Sequence, residues 1–504
     1  MIARPASNVD MLNRITLLAP RENFNQTNFN KIKERCDYLK LSDRQLKDIM
    51  RLLEQSFVEG LQSEKDTGIK MLPTFIRATS VGKECGEFLA LDLGGSNFRV
   101  LLITLHGDGK KGEMKHVSYA VPDEYKRGTG QQLFDHVADC LYNFMSEHEL
   151  FSGKALPLGF TFSFPCQQEG LDSASLVAWT KGFCASEVVG KDIVQMLRDA
   201  CRRKNLSVNI MALVNDTVGT MLSCSFIYPD CSVGLIVGTG CNACYMEHLE
   251  KIPKLKGLVS EEDGLPSEMC VNCELGAFGD DGKIDKYRTV HDKALDSNSI
   301  NPRKQTFEKM ISGMYLGELV RLVLAEMTKA KLLFSGSKEV VNLLGRQGAF
   351  TTRILSEIEG HVLESDKPLR MIGSLLSEKG IRSPSTADCA SVAYVCSLIS
   401  SRSANLCAAA MSTILQRMNR KRVAIGVDGS VYKAHPTFKD LLATKIEALT
   451  GGKFDFNLVL SKDGSGRGAA VAAANANRLA SSDAVAIRLA SSEEVSKGKG
   501  CQIC

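Results

Sequence analysis

Two segments of the chain share one plan. LALDLGGSNFRVLLI, beginning at Leu89, and VGLIVGTGCNACYME, beginning at Val233, each run from an apolar strand through a glycine-flanked turn to an asparagine and a second strand. A repeated hairpin restricts the chain to folds that use it twice and points to duplicated halves. Two more glycine turns sit at strand ends. VAIGVDGSVYK enters one through Asp428, Gly429 and Ser430, and SKDGSGRGAAVAAA passes from Gly464, Ser465 and Gly466 into an alanine-rich helix.

Other strand signals are short and apolar: FRVLLITL, PLGFTFSF, NIMALV, CYMEHL, RVAIGV and DFNLVL. Helix signals separate them. LSDRQ offers a capping box from Ser42 to Gln45, followed by Leu46, Ile49, Met50, Leu53, Phe57 and Leu61 on one face. Thr129 and Gln132 open a second, with Leu133, Phe134, Val137, Leu141 and Phe144 as its buried stripe. Strands mixed with long helices predict an α/β protein. With 504 residues and 44% apolar composition, it has interior enough for two or more domains. Residues up to about Phe29 read as a mobile tail.

Charge narrows the function. The formal net charge is +4, and no basic run alternates with aromatics, so nucleic acid is not expected as a partner. The 17 cysteines are scattered and odd in number, with no secretory signal before them, which predicts free thiols in the cytoplasm. No apolar run reaches the roughly 18 residues that would span a bilayer.

Successive amides in glycine turns form concavities for anions, and a turn that opens a helix adds the positive end of its dipole. Any single turn is explained by hairpin geometry alone. Four together, with Asp92 and Asp428 at strand ends, point to nucleotide phosphates and a divalent cation. Neither the Walker A pattern nor a dinucleotide fingerprint is present, so hairpins would have to grip the phosphate from two sides of a cleft. GFTFSFP, AWTKGF and ALVNDTVGTM could hold the acceptor. Asn215 and Asp216 end a strand where a helix can begin, as caps or as a general base. VNCELGAFGDDG adds Asn272 and Glu274, and QTFEKM adds Glu308, side chains suited to a polyhydroxylated ligand.

With WTKGF, GAFGDDG and FEKMISGMYLGELVRLVL, these segments resemble the animal hexokinases, in unbroken order from about Lys31 to Ala480. The resemblance implies a two-domain actin-like ATPase fold (RNase H-like) with an interdomain cleft that binds ATP, Mg²⁺ and glucose or related hexoses. It implies an N-terminal tail over 1–31, a large domain from 32–78 and 216–461, a small domain from 79–215 and 462–482, and a C-terminal tail over 483–504. Asp216 matches the catalytic base and Lys181 a lysine beside the reacting groups. Ser163, Thr180, Lys181, Asn215, Asp216, Asn242, Glu274 and Glu308 match the sugar site. Asp92 matches the acid that holds magnesium through water. Gly94, Gly95, Ser96, Asn97, Arg99, Thr239, Gly240, Asp428, Gly429, Ser430, Gly464 and Ser465 fall in segments matching the nucleotide site. The implied reaction is transfer from ATP to the hexose 6-hydroxyl, the first step of glycolysis.

Departures and competing readings stand beside it. Ser96 replaces the usual threonine, and Leu275 replaces the tryptophan that usually follows the sugar-binding glutamate, an exchange expected to loosen the packing that orients Glu274. Cys241, Cys244, Cys270 and Cys273 could form a zinc site, although their spacing exceeds the roughly 15 to 20 residues of such ribbons. Near the sugar site they would also be points of oxidative inactivation. A catalytically weak glucose sensor or scaffold, and an actin-like ATPase that takes no sugar, compete with the kinase reading. The terminal CQIC fits a prenylation box at Cys501 loosely, and one lipid would give only weak membrane attachment. The chain holds one kinase unit, and its oligomeric state is open.

Overall fold

The hairpin repeat is built into two sheets of matching topology in the computed structural model, which describes residues 8–18, 24–62, 68–94, 97–110, 112–151, 153–179, 182–259 and 264–498. In chain order the strands among these are β1 (Leu72–Pro73), β2 (Cys85–Leu93), β3 (Asn97–His106), β4 (Glu113–Ala120), β5 (Leu156–Phe162), β6 (Cys166–Gly170), β7 (Ser173–Leu176), β8 (Val208–Val214), β9 (Cys231–Val237), β10 (Cys241–His248), β11 (Glu268–Asn272), β12 (Arg422–Asp428) and β13 (Asp455–Leu460). The first sheet has the order β4-β3-β2-β5-β8 and the second β1-β11-β10-β9-β12-β13. Leaving β1 aside, both read antiparallel, antiparallel, parallel, parallel across their five strands. The duplication legible in two hairpins therefore extends to whole sheets, and the fold is the two-domain α/β arrangement of the actin-like ATPases.

Parallel pairing sets which chain ends meet. Leu93 of β2 is in register with Phe162 of β5, and Thr161 with Val214 of β8, so the residues that follow these strands emerge along one edge. In the second sheet β9 and β12 run parallel, with Ile236 beside Asp428. The antiparallel return of β10 and β11 brings Asn242 and Asn272 to the same edge.

Three apolar clusters hold the assembly. The largest packs helices, among them Asp43–Gln62 and Thr386–Met418, on the second sheet, and another packs the Gly130–Glu147 helix on the first. The third lies between the sheets. It joins Ala90 and Leu101 of the first to Cys244, Met246, Ala424 and Val459 of the second through two helices, Asp216–Ser225 and Gly464–Gly498. Each of these helices follows the fifth strand of its sheet. They cross where a β-carbon on Gly468 would lie 2.0 Å from the Gly219 carbonyl oxygen. Only glycine permits that approach, and the alanines that follow keep the helices close.

Both predicted capping boxes form. Gln45 N donates to Ser42 Oγ while Gln45 Oε1 accepts from Ser42 N, and Thr129 and Gln132 do the same. Each named stripe is buried. The polar alternation of EMKHVSYA hides β4, a half-exposed strand at the edge of the first sheet, and β11 is too short to announce itself.

The tail expected up to Phe29 is corrected by two helices. Asn8–Leu18 and Phe24–Arg35 place Met11, Ile15 and Phe29 in the largest core cluster, each no more than 4% exposed. Met11 and Ile15 sit four residues apart, one turn along the same helix face. At the other terminus the Gly464–Gly498 helix runs past residue 482, so 483–498 of the expected tail are helical. Cys501 and Cys504 lie outside the described residues. No helix among the described residues is long and apolar enough to cross a membrane.

Candidate active site at the strand ends

On the first sheet, Asp92 pairs in register with Arg99 across the β2–β3 hairpin. Arg99 Nη2 and Nε approach Asp92 Oδ2 at 2.5 and 3.1 Å, and Ser465 Oγ donates to the same oxygen at 2.8 Å. Arg99 Nη2 also donates to Ser465 Oγ at 3.0 Å, and Thr161 Oγ1 to the Ser465 carbonyl at 2.8 Å. The hairpin is thereby tied to the start of the Gly464–Gly498 helix. A β-carbon on Gly94 would lie 3.8 Å from Ser163 Oγ. Gly95 and Ser96 lie outside the described residues, as does the side chain of Asn97, whose backbone opens β3.

On the second sheet, the Gly238–Gly240 turn is closed by Gly238 N donating to Gly240 O at 2.9 Å. Gly313 N donates to Gly238 O at 2.7 Å and Met314 N to Thr239 O at 3.3 Å, which fixes the turn against the Gly313–Lys329 helix. Asp428 ends β12, accepting from Gly429 N at 2.5 Å and Lys433 Nζ at 2.5 Å. Gly429 has φ of +112°, and a β-carbon there would lie 2.3 Å from the Val237 carbonyl. Any side chain would push the two turns apart. Ser430 opens the helix that follows. A β-carbon on Gly464 would lie 3.1 Å from Asp428 Oδ2, so the third and fourth glycine turns of the sequence are neighbours. Gly313, which bonds the Gly238 turn, also lines a cavity of about 220 Å³ with Met314, Thr351 and Thr352 among others.

A third group of side chains is neutral or carboxylate. Asn242 Oδ1 accepts from Ala243 N at 2.8 Å and Leu275 N at 3.1 Å, while its Nδ2 donates to Asn272 Oδ1 at 2.9 Å. Asn272 Nδ2 then donates to Glu274 Oε1 at 2.7 Å. Glu308, on the Thr306–Ile311 helix, accepts from Cys241 N at 3.0 Å. Burial pushes the Glu308 carboxyl up, the Cys241 amide opposes this, and nearby Glu274 adds to the rise. Asn215 caps the next helix by accepting from Val218 N at 2.8 Å, and Asp216 opens that helix half-buried. Thr217, beside Asp216, accepts from Cys244 Sγ at 3.5 Å through its carbonyl, and Cys244 pairs in register with Asn272. The helix that Asp216 opens is thus tied, one residue on, to the strand that carries Asn272.

Thr180 and Lys181 lie outside the described residues. Their neighbour Trp179 is packed edge-on to Phe164 and stacked on Phe183, with Nε1 donating to Ala185 O at 2.9 Å. Leu275, which replaces the usual tryptophan, is fully buried. Among the described residues no group of three or more His, Cys, Asp or Glu side chains could hold a metal ion, which removes the zinc reading of Cys241, Cys244, Cys270 and Cys273. Those cysteines pack inside the molecule. Asn272, suggested by its residue type but left out of the sugar site by the resemblance, stands at the centre of the amide shell. Thr161 is a site member that sequence reasoning misses. Nothing local marks it, because its partner is 304 residues away.

Two hexokinase family models match consecutive parts of this chain, residues 31–226 and 232–475. Hexokinase-2 of Homo sapiens is 46% identical over 468 residues, 90% of this chain and 49% of that protein. Hexokinase-1 of Homo sapiens is 44% identical over 470 residues, 91% of this chain and 50% of that protein. The chain spans about half the length of the curated relatives it matches. Among solved structures, a hexokinase from Schistosoma mansoni complexed with glucose is 40% identical with a TM-score of 0.78, covering 90% of this chain and 100% of that one. A second hexokinase crystal structure, 30% identical, gives the same coverage and TM-score.

Proposed function

The chain belongs to the hexokinase family, and on that premise we propose that it transfers the γ-phosphoryl group of ATP to the 6-hydroxyl of glucose and related hexoses, giving hexose 6-phosphate and ADP. The observation that carries this reading is that Asp216 opens the helix whose Thr217 carbonyl accepts from Cys244, the register partner of Asn272, and that Asn272 in turn bonds Asn242 and Glu274. A carboxylate beside a hydroxyl-binding shell is what an alcohol acceptor needs.

Asp216 takes the proton of the 6-hydroxyl as that oxygen attacks phosphorus. Ser163, Asn215, Asn242, Glu274 and Glu308 hold the other hydroxyls, with Thr180 and Lys181 from the neighbouring segment. Lys181 also offsets the charge that develops on the phosphoryl group. The Gly94–Asn97, Thr239–Gly240, Gly429–Ser430 and Gly464–Ser465 turns receive the phosphates, and the cavity beside Gly313 and Thr352 has room for the base and ribose. Asp92 fits a magnesium site of the usual kind, in which one carboxylate works with water and substrate phosphates. Its Oδ2 accepts from Arg99 and Ser465, and the carboxylate would hold the ion through water. When bound, Mg²⁺ would neutralise charge on the transferring phosphates.

The domain division follows the two sheets: 32–78 and 216–461 form the larger unit, joined by the Asn8–Leu18 and Phe24–Arg35 helices, and 79–215 with 462–482 the smaller. Closure of one on the other would exclude water, the competing acceptor. A reducing, cytoplasmic setting agrees with the described cysteines, all of them free thiols. The test is coupled, Mg²⁺-dependent phosphorylation of glucose by the purified chain beside Asp216→Ala. Turnover that collapses in a folded variant supports the assignment. An inert parent that still binds sugar would replace it with a sensor.

A further inference from the structure

Glu308 stands on a helix of six residues, Thr306–Ile311, too short to be stable without outside support. Gln305, at its N-cap, supplies no side-chain cap. The cap comes instead from Asp280, 25 and 26 residues back in the chain. Asp280 Oδ2 accepts from Gln305 N at 3.1 Å and Oδ1 from Thr306 N at 2.9 Å, so both carboxylate oxygens hold the backbone just ahead of Glu308. Gln305 needs that hold. Its φ is +57°, in the left-handed region that side chains seldom adopt, and such a residue persists only where its surroundings fix it.

Asp280 belongs to the loop that also carries Glu274. From Glu274 the chain turns through Leu275–Ala277, and Asp280 N donates to Ala277 O at 3.1 Å. The loop packs directly on the helix. The rings of Phe278 and Phe307 meet edge-on with centroids 5.2 Å apart, and a β-carbon on Gly276 would lie 2.1 Å from Gln305 Oε1 and 3.0 Å from Glu308 Cβ. Asp280 thus ties the loop of one shell carboxylate to the helix of the other. A second anchor follows Glu308 at once: Lys309, 3% exposed, donates from Nζ to Asp296 Oδ1 and to the Asn301 carbonyl, each at 2.7 Å. Charge follows the same geometry. Burial pushes the Glu308 carboxyl up, Glu274 and Asp280 add to the rise, and the Cys241 amide and Lys309 oppose it. The Cys241 thiol and the Tyr315 hydroxyl, which also feel the Glu308 charge, are kept neutral chiefly by burial.

Resting on the hexose kinase function above, in which Glu308 binds a sugar hydroxyl, we propose that Asp280 is a positioning residue of the sugar site: it caps the Thr306–Ile311 helix from the Glu274 loop and so sets Glu308 and Glu274 at the spacing a hexose requires. It acts through backbone amides and not on the sugar itself. A ligand held by several hydroxyl contacts is sensitive to such support, because a shell left loose loses affinity although every side chain remains.

The experiment takes the full chain with Asp280→Ala and Asp280→Asn, and reads glucose affinity by calorimetry without nucleotide and by KM with ATP and Mg²⁺. Asp280→Ala frees both amides and is expected to raise Kd and KM for glucose about tenfold, with kcat and KM for ATP within about threefold of the parent. Asp280→Asn keeps one acceptor oxygen and removes the charge. It should recover part of the affinity and move the acid-side loss of glucose binding to lower pH, because one neighbour that raises the Glu308 carboxyl is gone. A cap with no bearing on Glu308 would leave that pH dependence in place. Unchanged glucose affinity in a folded Asp280→Ala, or equal losses for glucose and ATP, would overturn the proposal. If Asp280→Ala does not fold, an unshifted pH dependence in Asp280→Asn overturns it instead. A parent that binds glucose without phosphorylating it would remove the kinase function and leave Asp280 judged by calorimetry, whereas a parent that binds no glucose would overturn both.

Discussion

The two sheets share strand order and direction but place their chemistry differently. In the first, the acid is inside the hairpin: Asp92 of β2 faces Arg99 of β3. In the second, the equivalent β9 position is Ile236, and the acid is Asp428, its register neighbour on the parallel strand β12. The helices after the fifth strands differ in the same way. One begins with Asp216, a carboxylate suited to an acceptor hydroxyl, and the other with Gly464 and Ser465, which offer amides and a hydroxyl suited to phosphate. A duplicated backbone thus supplies equivalent places along one edge, and in the proposed reaction single residues would divide them between donor and acceptor.

Several substitutions would break or sharpen that contrast. The largest effect is expected from Asp216→Asn, which keeps a helix-starting polar side chain but removes the base. Turnover should fall by about 10²- to 10⁴-fold with little change in KM for ATP. A loss of only a few-fold would leave Asp216 a helix-starting residue with no part in proton transfer. Asp92→Asn should lower kcat by about 10²-fold and raise the Mg²⁺ requirement, because Arg99 loses its counter-charge. Its KM for glucose should hold steady. Equal effects on both substrates would show that the hairpin does not separate the two roles.

Asn242→Ala leaves the Leu275 and Ala243 amides without their acceptor, and KM for glucose should rise about tenfold with ATP affinity retained. Acidification should do the same more gradually. Because the Glu308 carboxyl is raised, it takes up its proton at a higher pH than an ordinary glutamate and stops accepting from sugar hydroxyls. KM for glucose should climb as pH falls through the raised value, and Glu308→Gln should flatten that climb. The sign for stability is opposite: the folded chain binds this proton more tightly than the unfolded one, so Glu308 contributes stability as pH falls through the same window. The smallest effect is expected from Ser42→Ala, which removes a helix cap remote from both groups. Thermal or denaturant unfolding should report a loss of ~1 kcal/mol with both KM values unchanged.

Much of this is readable from residues alone. Strands with Gly, Asn or Asp at their ends, capping boxes and the repeated hairpin are local patterns, and local patterns survive without tertiary information. The residues of the proposed sugar shell are also legible, because Asn215, Asp216, Asn242 and Glu274 stand at strand ends in the segments that resemble the hexokinases. The central place of Asn272 is not, because it comes from register: only the pairing of β10 with β11 sets it between Asn242 and Glu274. The N-terminal helices escape a sequence reading because Met11, Ile15 and Phe29 become core only where a distant surface, the Thr386–Met418 helix among others, receives them.

The sequence by itself determined the element types, the duplication and the chemical vocabulary of the site, since each depends on neighbours within a few residues. The tertiary structure decided which of those residues meet. It set Ser465 on Asp92 from 373 positions away. It also brought Gly468 against Gly219 and buried the four cysteines whose pairing in the sequence suggests metal ligands. Such contacts depend on sheet register and on two helices close enough to cross at glycine, and neither is written in any one stretch of the chain.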